Sequence, residues 1–406
     1  MTNVFDVLIV GGGPVGACAG ALLARESSNS RAPMRVCIIE PKRPKMPAVD
    51  SPLEPRVVAI SRASERVLNS AGAWFRLTGP RIEAYERMRI WHESTPPSKA
   101  LVFDAAEVGE PNLGYIIENR LLQAALLDEF TAAGGHLEVA DFQQLHMGAD
   151  AVSVATSAGT LSAKLVIGAD GARSAVRESV GLTASVSDFN ETAIVATVVT
   201  ERSHEKTAWQ RFMRNGTLAF LPLADGTSSI VWSADNSLAA DLVAMPAADF
   251  NTELTRASDL ALGPTRLASE RFTFPLQRIG AHRYVTQRCA LIGDAAHVVH
   301  PLAGQGVNLG LLDAATIAQL VLEARAERED PGALRVLRRY ERWRKSEVAF
   351  MSTAIDAFDR FLAHGTGPVS RLAQRGLGWV NNSQELKRMF VNRALGVAGE
   401  LPRAAR

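Results

Sequence analysis

Six residues near the start of the chain carry the clearest chemical signal: Gly11-Gly12-Gly13-Pro14-Val15-Gly16. Gly11, Gly13 and Gly16 supply G-x-G-x-x-G spacing directly after an apolar run at 5–10 and before an Ala/Leu-rich stretch at 17–25. The first glycine permits a tight turn, the second lets backbone approach a pyrophosphate, and the third lets helix and strand pack closely. The N-terminus of the following helix then faces the anion. Glu40 closes a second apolar run at 34–40, near the distance expected of a ribose hydroxyl acceptor. A chance Gly-rich turn is the alternative. The strand, the helix and the acidic residue together favour a dinucleotide site that includes Pro14.

Two further motifs point to a flavin dinucleotide. Gly168-Ala169-Asp170-Gly171-Ala172-Arg173-Ser174 follows an apolar run, and Cys289–His297 (CALIGDAAH) repeats the pattern of strand followed by Gly-Asp. Glycines at both strand ends suit close backbone approach, and each aspartate can accept hydrogen bonds from hydroxyl groups. The second run continues as HPLAGQGVNLG from His300 to Gly310. Gly304 and Gly306 allow a tight loop whose N–H groups face a flavin ring. The helix after them favours negative charge on the reduced ring. Either Gly-Asp turn alone would be unremarkable; in this order after the N-terminal fingerprint they point to FAD.

The elements that must position these residues follow from pattern. Strand, helix and strand within the first 40 residues form a βαβ unit. A helix is predicted at 64–77 and another at 119–133, stopped by Gly134 and Gly135. From about Glu191 the texture becomes β-rich, with a hairpin around Asn215-Gly216 and a turn at Asp225-Gly226. The βαβ texture returns at Cys289, and the chain from Pro331 onward reads as helical and basic. The expected fold is therefore α/β: a Rossmann-like FAD-binding domain interrupted by an antiparallel β-sheet substrate domain, with a C-terminal helical segment. Residues 1–75, 105–190 and 275–330 are assigned to the FAD-binding domain. Residues 76–104 and 191–274 form the substrate sheet, and 331–406 the helical segment.

Composition narrows the function classes. The chain has 406 residues, 47% hydrophobic and 21% charged, with a formal net charge of +1. That balance removes the main electrostatic reason to propose a nucleic-acid partner. It also conceals asymmetry: residues 331–406 hold 14 Lys/Arg against 6 Asp/Glu. Amphipathic patches at 354–362 and 388–394 suit either a solvated face or peripheral contact with an anionic membrane. Cys18, Cys37 and Cys289 are too scattered for a disulfide framework and read as buried small hydrophobes in a reducing cytoplasm. No His cluster has metal-ligand spacing, so no metal is expected. The first residues do not resemble a signal peptide, and no stretch approaches the ~18–20 apolar residues that span a bilayer.

At this point the sequence resembles the flavoprotein aromatic hydroxylases of the para-hydroxybenzoate hydroxylase type. Within them it is most similar to the ubiquinone-biosynthesis hydroxylases. The resemblance covers nearly the whole chain: GGGPVGACAGALLA at the start, RVVAIS from Arg56, ENRLLQAALL from Glu118, GADGARSAVR from Gly168 and GDAAHVVHPLAGQGVNLGLLDA from Gly293. Where that branch often has Asp two residues before the arginine of RVVAIS, this chain has Glu54.

The resemblance implies a role for each matched residue. Gly11, Gly13 and Gly16 would hold the FAD pyrophosphate and Glu40 the adenosine ribose. Arg120 would contact FAD from the start of its helix, and Asp294 would bind its ribityl or pyrophosphate region. Gly304, Gln305, Gly306 and Asn308 would line the isoalloxazine, with Pro301 beside the ring where oxygen reacts. Asp170 belongs to a motif linked to both FAD and NAD(P)H, and Arg56 is a candidate flavin-side residue. FAD would be tightly bound, NAD(P)H a transient reductant and O2 the co-substrate, acting through a flavin C4a-hydroperoxide. The implied substrate is a polyprenylphenol intermediate of ubiquinone biosynthesis. Alternatives are another phenolic substrate, or a non-catalytic flavoprotein subunit of a ubiquinone-biosynthesis complex. Trp209, Phe212, Phe220 and Trp232 are candidate pocket walls, with core packing the commoner role for such residues. No catalytic side chain is assigned; His297 and His300 read as structural or cofactor-positioning. The oligomeric state is left open by these patterns.

Overall fold

A computed structural model describes residues 4–28, 32–77, 79–300, 305–362, 393 and 395–406, without the side chains of 354–362. Pro301, Gly304 and nearly all of the patch 388–394 lie outside the described residues.

The chain opens with β1 (Val4–Val10), α1 (Pro14–Ser28) and β2 (Val36–Ile39). Val7, Leu8, Ile9 and all of β2 are buried, as expected of strands covered on both faces. β1 and β2 pair in parallel, with Val7 opposite Val36. After β3 (Val57–Ser61) the single helix predicted at 64–77 is two: α2 (Arg62–Ser70) and α3 (Trp74–Leu77). Between them Gly72 adopts φ +81°, a left-handed turn that glycine tolerates.

Strands β4 (Glu83–Tyr85), β5 (Arg87–His92), β6 (Leu101–Asp104) and β7 (Gly114–Glu118) lead into α4 (Asn119–Ala132). Then come β8 (His136–Glu138), β9 (Phe142–Met147), β10 (Val152–Thr156), β11 (Gly159–Gly168) and the short α5 (Ala175–Ser179). The long β12 (Ala184–Thr200) precedes β13 (Thr207–Met213), β14 (Gly216–Pro222) and β15 (Ser228–Asp235). Two helices not anticipated from sequence follow, α6 (Asn236–Ala244) and α7 (Ala247–Ala257). The chain returns through β16 (Thr265–Leu267), β17 (Phe272–Ala281), β18 (Val285–Thr286), β19 (Cys289–Leu291) and β20 (His297–Val298). It then enters α8 (Gln305–Ala326) and α9 (Leu334–Leu362).

The strands form three sheets. An eight-stranded sheet has the order β18-β19-β11-β1-β2-β8, with β10 and β9 extending from β11. A nine-stranded sheet runs β20-β17-β12-β15-β14-β13-β5-β6, with β16 on β12. β3, β7 and β4 make a third. The nine-stranded sheet is antiparallel except where β13 lies parallel to β5. α1 and α8 share the main core with the first sheet, while α6 and α7 cover one face of the second.

Among the described residues, α8 alone is long and apolar enough to cross a membrane. This qualifies the expectation that no stretch would be. Most of its apolar window is buried against the rest of the chain, which is how a core helix reads. The three cysteines are free and buried. Burial pushes the Cys37 and Cys289 thiols up to about 12.

Candidate functional site

The glycine loop is built by contact. Gly11 has φ +101°, and a Cβ there would stand 2.4 Å from the Ala169 carbonyl oxygen. A Cβ at Gly16 would stand 2.0 Å from the Gly11 carbonyl oxygen. These two glycines therefore let β1, α1 and the loop after β11 close on one another. Gly13 differs: a Cβ there meets nothing within 4 Å, so its backbone borders open space at the mouth of α1. Glu40 follows β2, and its Oε2 accepts the Gly12 N–H at 2.7 Å. Gln123 of α4, not singled out in the sequence, donates from Nε2 to the Gly12 carbonyl at 3.0 Å.

The second motif is a frame. Asp170 accepts from Ser174 Oγ at 2.5 Å and from the Val176 N–H at 3.0 Å, so its carboxylate fixes the start of α5. Arg177, buried at the end of the same motif, donates to the carbonyls of Ala295 and Ala172. It thereby ties the loop after β11 to the loop after β19. Ala169 and Gly171, flanking Asp170, are the residues of this loop that border the cavity described below.

The third motif rests on buried charge. Asp313 of α8 is fully buried and accepts from the Gly293 N–H at 3.0 Å, His297 Nε2 at 2.6 Å and Arg344 Nε at 2.7 Å. Burial raises its carboxyl, but His297 and Arg344 outweigh that and hold it below the ordinary carboxylate value. Arg344 comes from α9, so the basic segment contributes one cation to the interior. His300 is also buried, with Nε2 3.3 Å from Glu191 Oε2 and its ring edge-on to Phe189. Asp294 is reachable by solvent through the cavity yet surrounded by protein. Burial raises its carboxyl, with His297 and Arg56 drawing it back and Asp313 adding to the rise.

Helix α8 begins with Gln305, Gly306 and Val307 at the cavity and Asn308 just behind. Asn308 is buried and accepts the Ser61 N–H at 2.9 Å while donating to the Ala59 carbonyl at 2.8 Å. It fastens α8 to β3. Gly310 packs under Val15, where a Cβ would come within 2.5 Å of a valine methyl.

These pieces enclose one cavity of about 680 Å³, within the range of small-molecule and cofactor sites. It runs from Gly13, Pro14 and Asp294, past Arg56 to Ala59 and the start of α8, to the face of the nine-stranded sheet. There its walls include Met88, Ile90, Phe103, Leu113, Leu221 and Val231. Arg56 borders the cavity and stacks over Phe274, 5.4 Å from the ring centre. Arg120 is half-exposed and pairs with Glu54 at 3.0 Å; its neighbours Asn119 and Gln123 border the cavity.

Of the four candidate aromatic walls, Trp209 borders the cavity, yet it lies opposite Phe220 in the register and packs with it on the core side. Phe220 and Trp232 point to the opposite face, into the core beneath α6 and α7. Strand alternation explains this: Thr217, Ala219 and Leu221 face the cavity, so Leu218 and Phe220 cannot. Phe212 is buried with Ile90, Val299 and Leu309, where the nine-stranded sheet meets α8. Among the described residues no group of three or more His, Cys, Asp or Glu could hold a metal ion.

The donor set fits FAD. An open backbone at Gly13 beside a helix N-terminus suits a pyrophosphate, and a carboxylate at Glu40 suits a ribose. A long cavity then leads to a second helix N-terminus at Gln305. Comparison with known proteins agrees. A family model described as FAD binding domain matches residues 4–350. The ubiquinone hydroxylase UbiL of Rhodospirillum rubrum is 37% identical over 397 residues, covering 97% of this chain and 90% of its own. The 3-demethoxyubiquinol 3-hydroxylase of Escherichia coli is 34% identical over 405 residues, covering 98% of this chain and 100% of its own. The crystal structure of p-nitrophenol 4-monooxygenase PnpA from Pseudomonas putida superposes with TM-score 0.77 at 20% identity, over 97% of this chain and 99% of that one; this shows the fold. With its nucleotide-binding glycines, its continuous cavity and relatives matched along almost their whole length, the chain belongs to the FAD-dependent aromatic hydroxylases of ubiquinone biosynthesis.

Proposed function

We propose that this protein hydroxylates the ring of a polyprenylphenol, using NAD(P)H as reductant and O2 as oxygen source. One observation carries the reading: a single cavity joins the dinucleotide glycines to a largely apolar sheet face. Among the described residues the charged ones that border it are Arg56 and Asp294, both at the cofactor end. A ring carboxylate would lose its hydration against the sheet without a cation to replace it. A neutral phenol with a hydrocarbon tail fits those walls.

When bound, FAD supplies the transfer of electrons from NAD(P)H and of oxygen from O2 to the ring. The chain's own residues hold and dry the site. Gly13 and Pro14 would present backbone and the α1 N-terminus to the pyrophosphate, with Gly11 and Gly16 letting the loop close behind them, and Glu40 would accept from the ribose. Asp294 would face the ribityl region, and Arg56 and Arg120 would add positive charge beside the cofactor. The start of α8, with Gln305 and Gly306, favours negative charge on the ring. Asp170 and Asn308 hold the framework in register. The discontinuous first sheet carries FAD and the second sheet carries substrate. The protein works in the cytoplasm, with its basic C-terminal segment meeting the inner membrane surface or a ubiquinone-biosynthesis complex.

The test is purified holoenzyme with a short-chain 2-prenylphenol. Phenol-stimulated NAD(P)H oxidation with a product one oxygen atom heavier supports the proposal. A flavin-loaded protein that leaves the phenol unchanged overturns it, and would favour a non-catalytic subunit.

A further inference from the structure

Three polar side chains interrupt the apolar face across the cavity. In the sheet register Thr217 of β14 lies opposite Ser233 of β15, and Gln210 of β13 lies opposite Ala219, diagonal to Thr217. All three border the cavity. Each residue is more than nine-tenths buried: Gln210 is 5% exposed, Thr217 6% and Ser233 2%. Among the described residues no hydrogen bond is made by any of these three side chains, and none of their polar atoms is sealed inside protein, so they are left open to the cavity. A ligand that fills the cavity would strip their water and leave them unpaired, at a cost, unless it offers polar atoms of its own. Elsewhere the same face carries Ala208, Ala219, Leu221 and Val231, which offer no polar group. The trio is therefore a confined patch of neutral donors and acceptors on an otherwise apolar wall.

Its position ties it to the reacting end of the cavity. Ile90 is opposite Gln210, and Phe212 is opposite Thr217. Ile90 and Phe212 pack on Val299 and Leu309, which flank the start of α8. The patch thus lies on the side where the second sheet meets the cofactor half. The walls Tyr85, Met88, Phe103 and Leu113 cluster with Leu395 and form an apolar compartment, of which Met88 and Phe103 also touch the Ile90 and Phe212 cluster.

We propose that Gln210, Thr217 and Ser233 grip the oxygen substituents of the substrate ring, orienting it toward the flavin while the apolar compartment takes the tail. This rests on the hydroxylase reading above. Gln210 both donates and accepts, and each hydroxyl does the same, so the patch matches a neutral phenol or methoxyl group. A site built to hydrogen-bond a hydroxyl discriminates strongly against an analogue lacking it, because its own polar groups are then left unpaired. These are specificity residues and take no part in moving electrons.

The experiment is a binding titration, so it does not depend on turnover. FAD-loaded protein is titrated with 2-prenylphenol and with prenylbenzene, which lacks the ring oxygen, and Kd is read from the shift in flavin absorbance. The wild type is expected to prefer the phenol at least tenfold. Gln210→Leu, Thr217→Val and their double variant are expected to lose that preference, while Thr217→Ser retains it; FAD content and Tm show that each variant is folded. Equal affinity of the wild type for both ligands, or an undiminished preference in the double variant, would overturn the assignment. Failure of the hydroxylase reading appears separately, as phenol binding with no oxygenated product.

Discussion

Gly13 and Gly16 belong to one motif, yet the structure predicts opposite consequences for the same small change. At Gly16 an added Cβ would sit 2.0 Å from the Gly11 carbonyl oxygen, against 3.4 Å for ordinary contact. Strand loop and helix would have to part by about 1.4 Å, an overpacking defect at the upper end of ~1–3 kcal/mol. Gly16→Ala is therefore expected to lose several degrees of Tm even without FAD. At Gly13 the added Cβ meets no protein atom within 4 Å, so apo Gly13→Ala is expected to melt with the wild type or slightly above it. Its methyl group enters the space assigned to the pyrophosphate and should weaken FAD at least tenfold. By linkage, FAD at 100 times the wild-type Kd stabilises the wild type by about 2.7 kcal/mol and the variant by about 1.4 kcal/mol. Thermal melts with and without FAD, alongside flavin absorbance titrations, measure both terms. Wild-type FAD affinity in Gly13→Ala would refute the placement of the pyrophosphate. An unshifted apo Tm in Gly16→Ala would refute the packing argument.

Other outcomes follow from the interior. Arg344→Met removes the guanidinium from buried Asp313 and should cost about 3–5 kcal/mol near neutral pH by chemical denaturation. Because the folded Asp313 carboxyl is held below its ordinary value, its contribution is present above about pH 4 and fades as pH falls. The gap between wild type and Arg344→Met should therefore narrow in acid; a constant gap would show that the ion pair is not its source. Phe220→Ala, on the far side of the second sheet, should cost about 3–5 kcal/mol while leaving phenol Kd within twofold. Native protein should resist iodoacetamide at Cys18, Cys37 and Cys289 until denatured, as mass spectrometry would show.

The glycines were legible because their demand is local: a turn and a close approach are fixed by a few neighbouring residues. The βαβ opening and the hairpin at Asn215-Gly216 were legible for the same reason. The helices α6 and α7 were not read, although Leu238, Ala239 and Leu242, then Phe250, Leu254 and Ala257, carry helical spacing. The β-rich texture around them masked it. The parallel pairing of β13 with β5 joins Thr207 to Arg87, and no local pattern encodes so distant a partner. Side-chain direction was equally hidden. Asp170 and Asn308 were visible as polar residues beside glycines, but their partners, Ser174 and Val176 for one and Ala59 and Ser61 for the other, emerge only once the backbone is folded. A count of 14 Lys/Arg in 331–406 carries no depth, so the burial of Arg344 beside Asp313 is not legible in it.

The central strand of the first sheet has a biosynthetic consequence. β1 finds β2 soon after both leave the ribosome, but its other neighbour is β11, with Val7 against Leu165. Those partners are 158 positions apart, a gap of roughly 8–30 s at ordinary rates of synthesis. Throughout that interval one edge of a largely apolar strand offers unpaired N–H and C=O groups to any passing chain. Added FAD cannot shorten the wait, because α8, the second arm of its cradle, is made later still. The vulnerable period of this flavoprotein therefore precedes its ability to bind flavin. Slower aggregation through lower temperature or chaperone cover should raise its yield more than cofactor supplementation does.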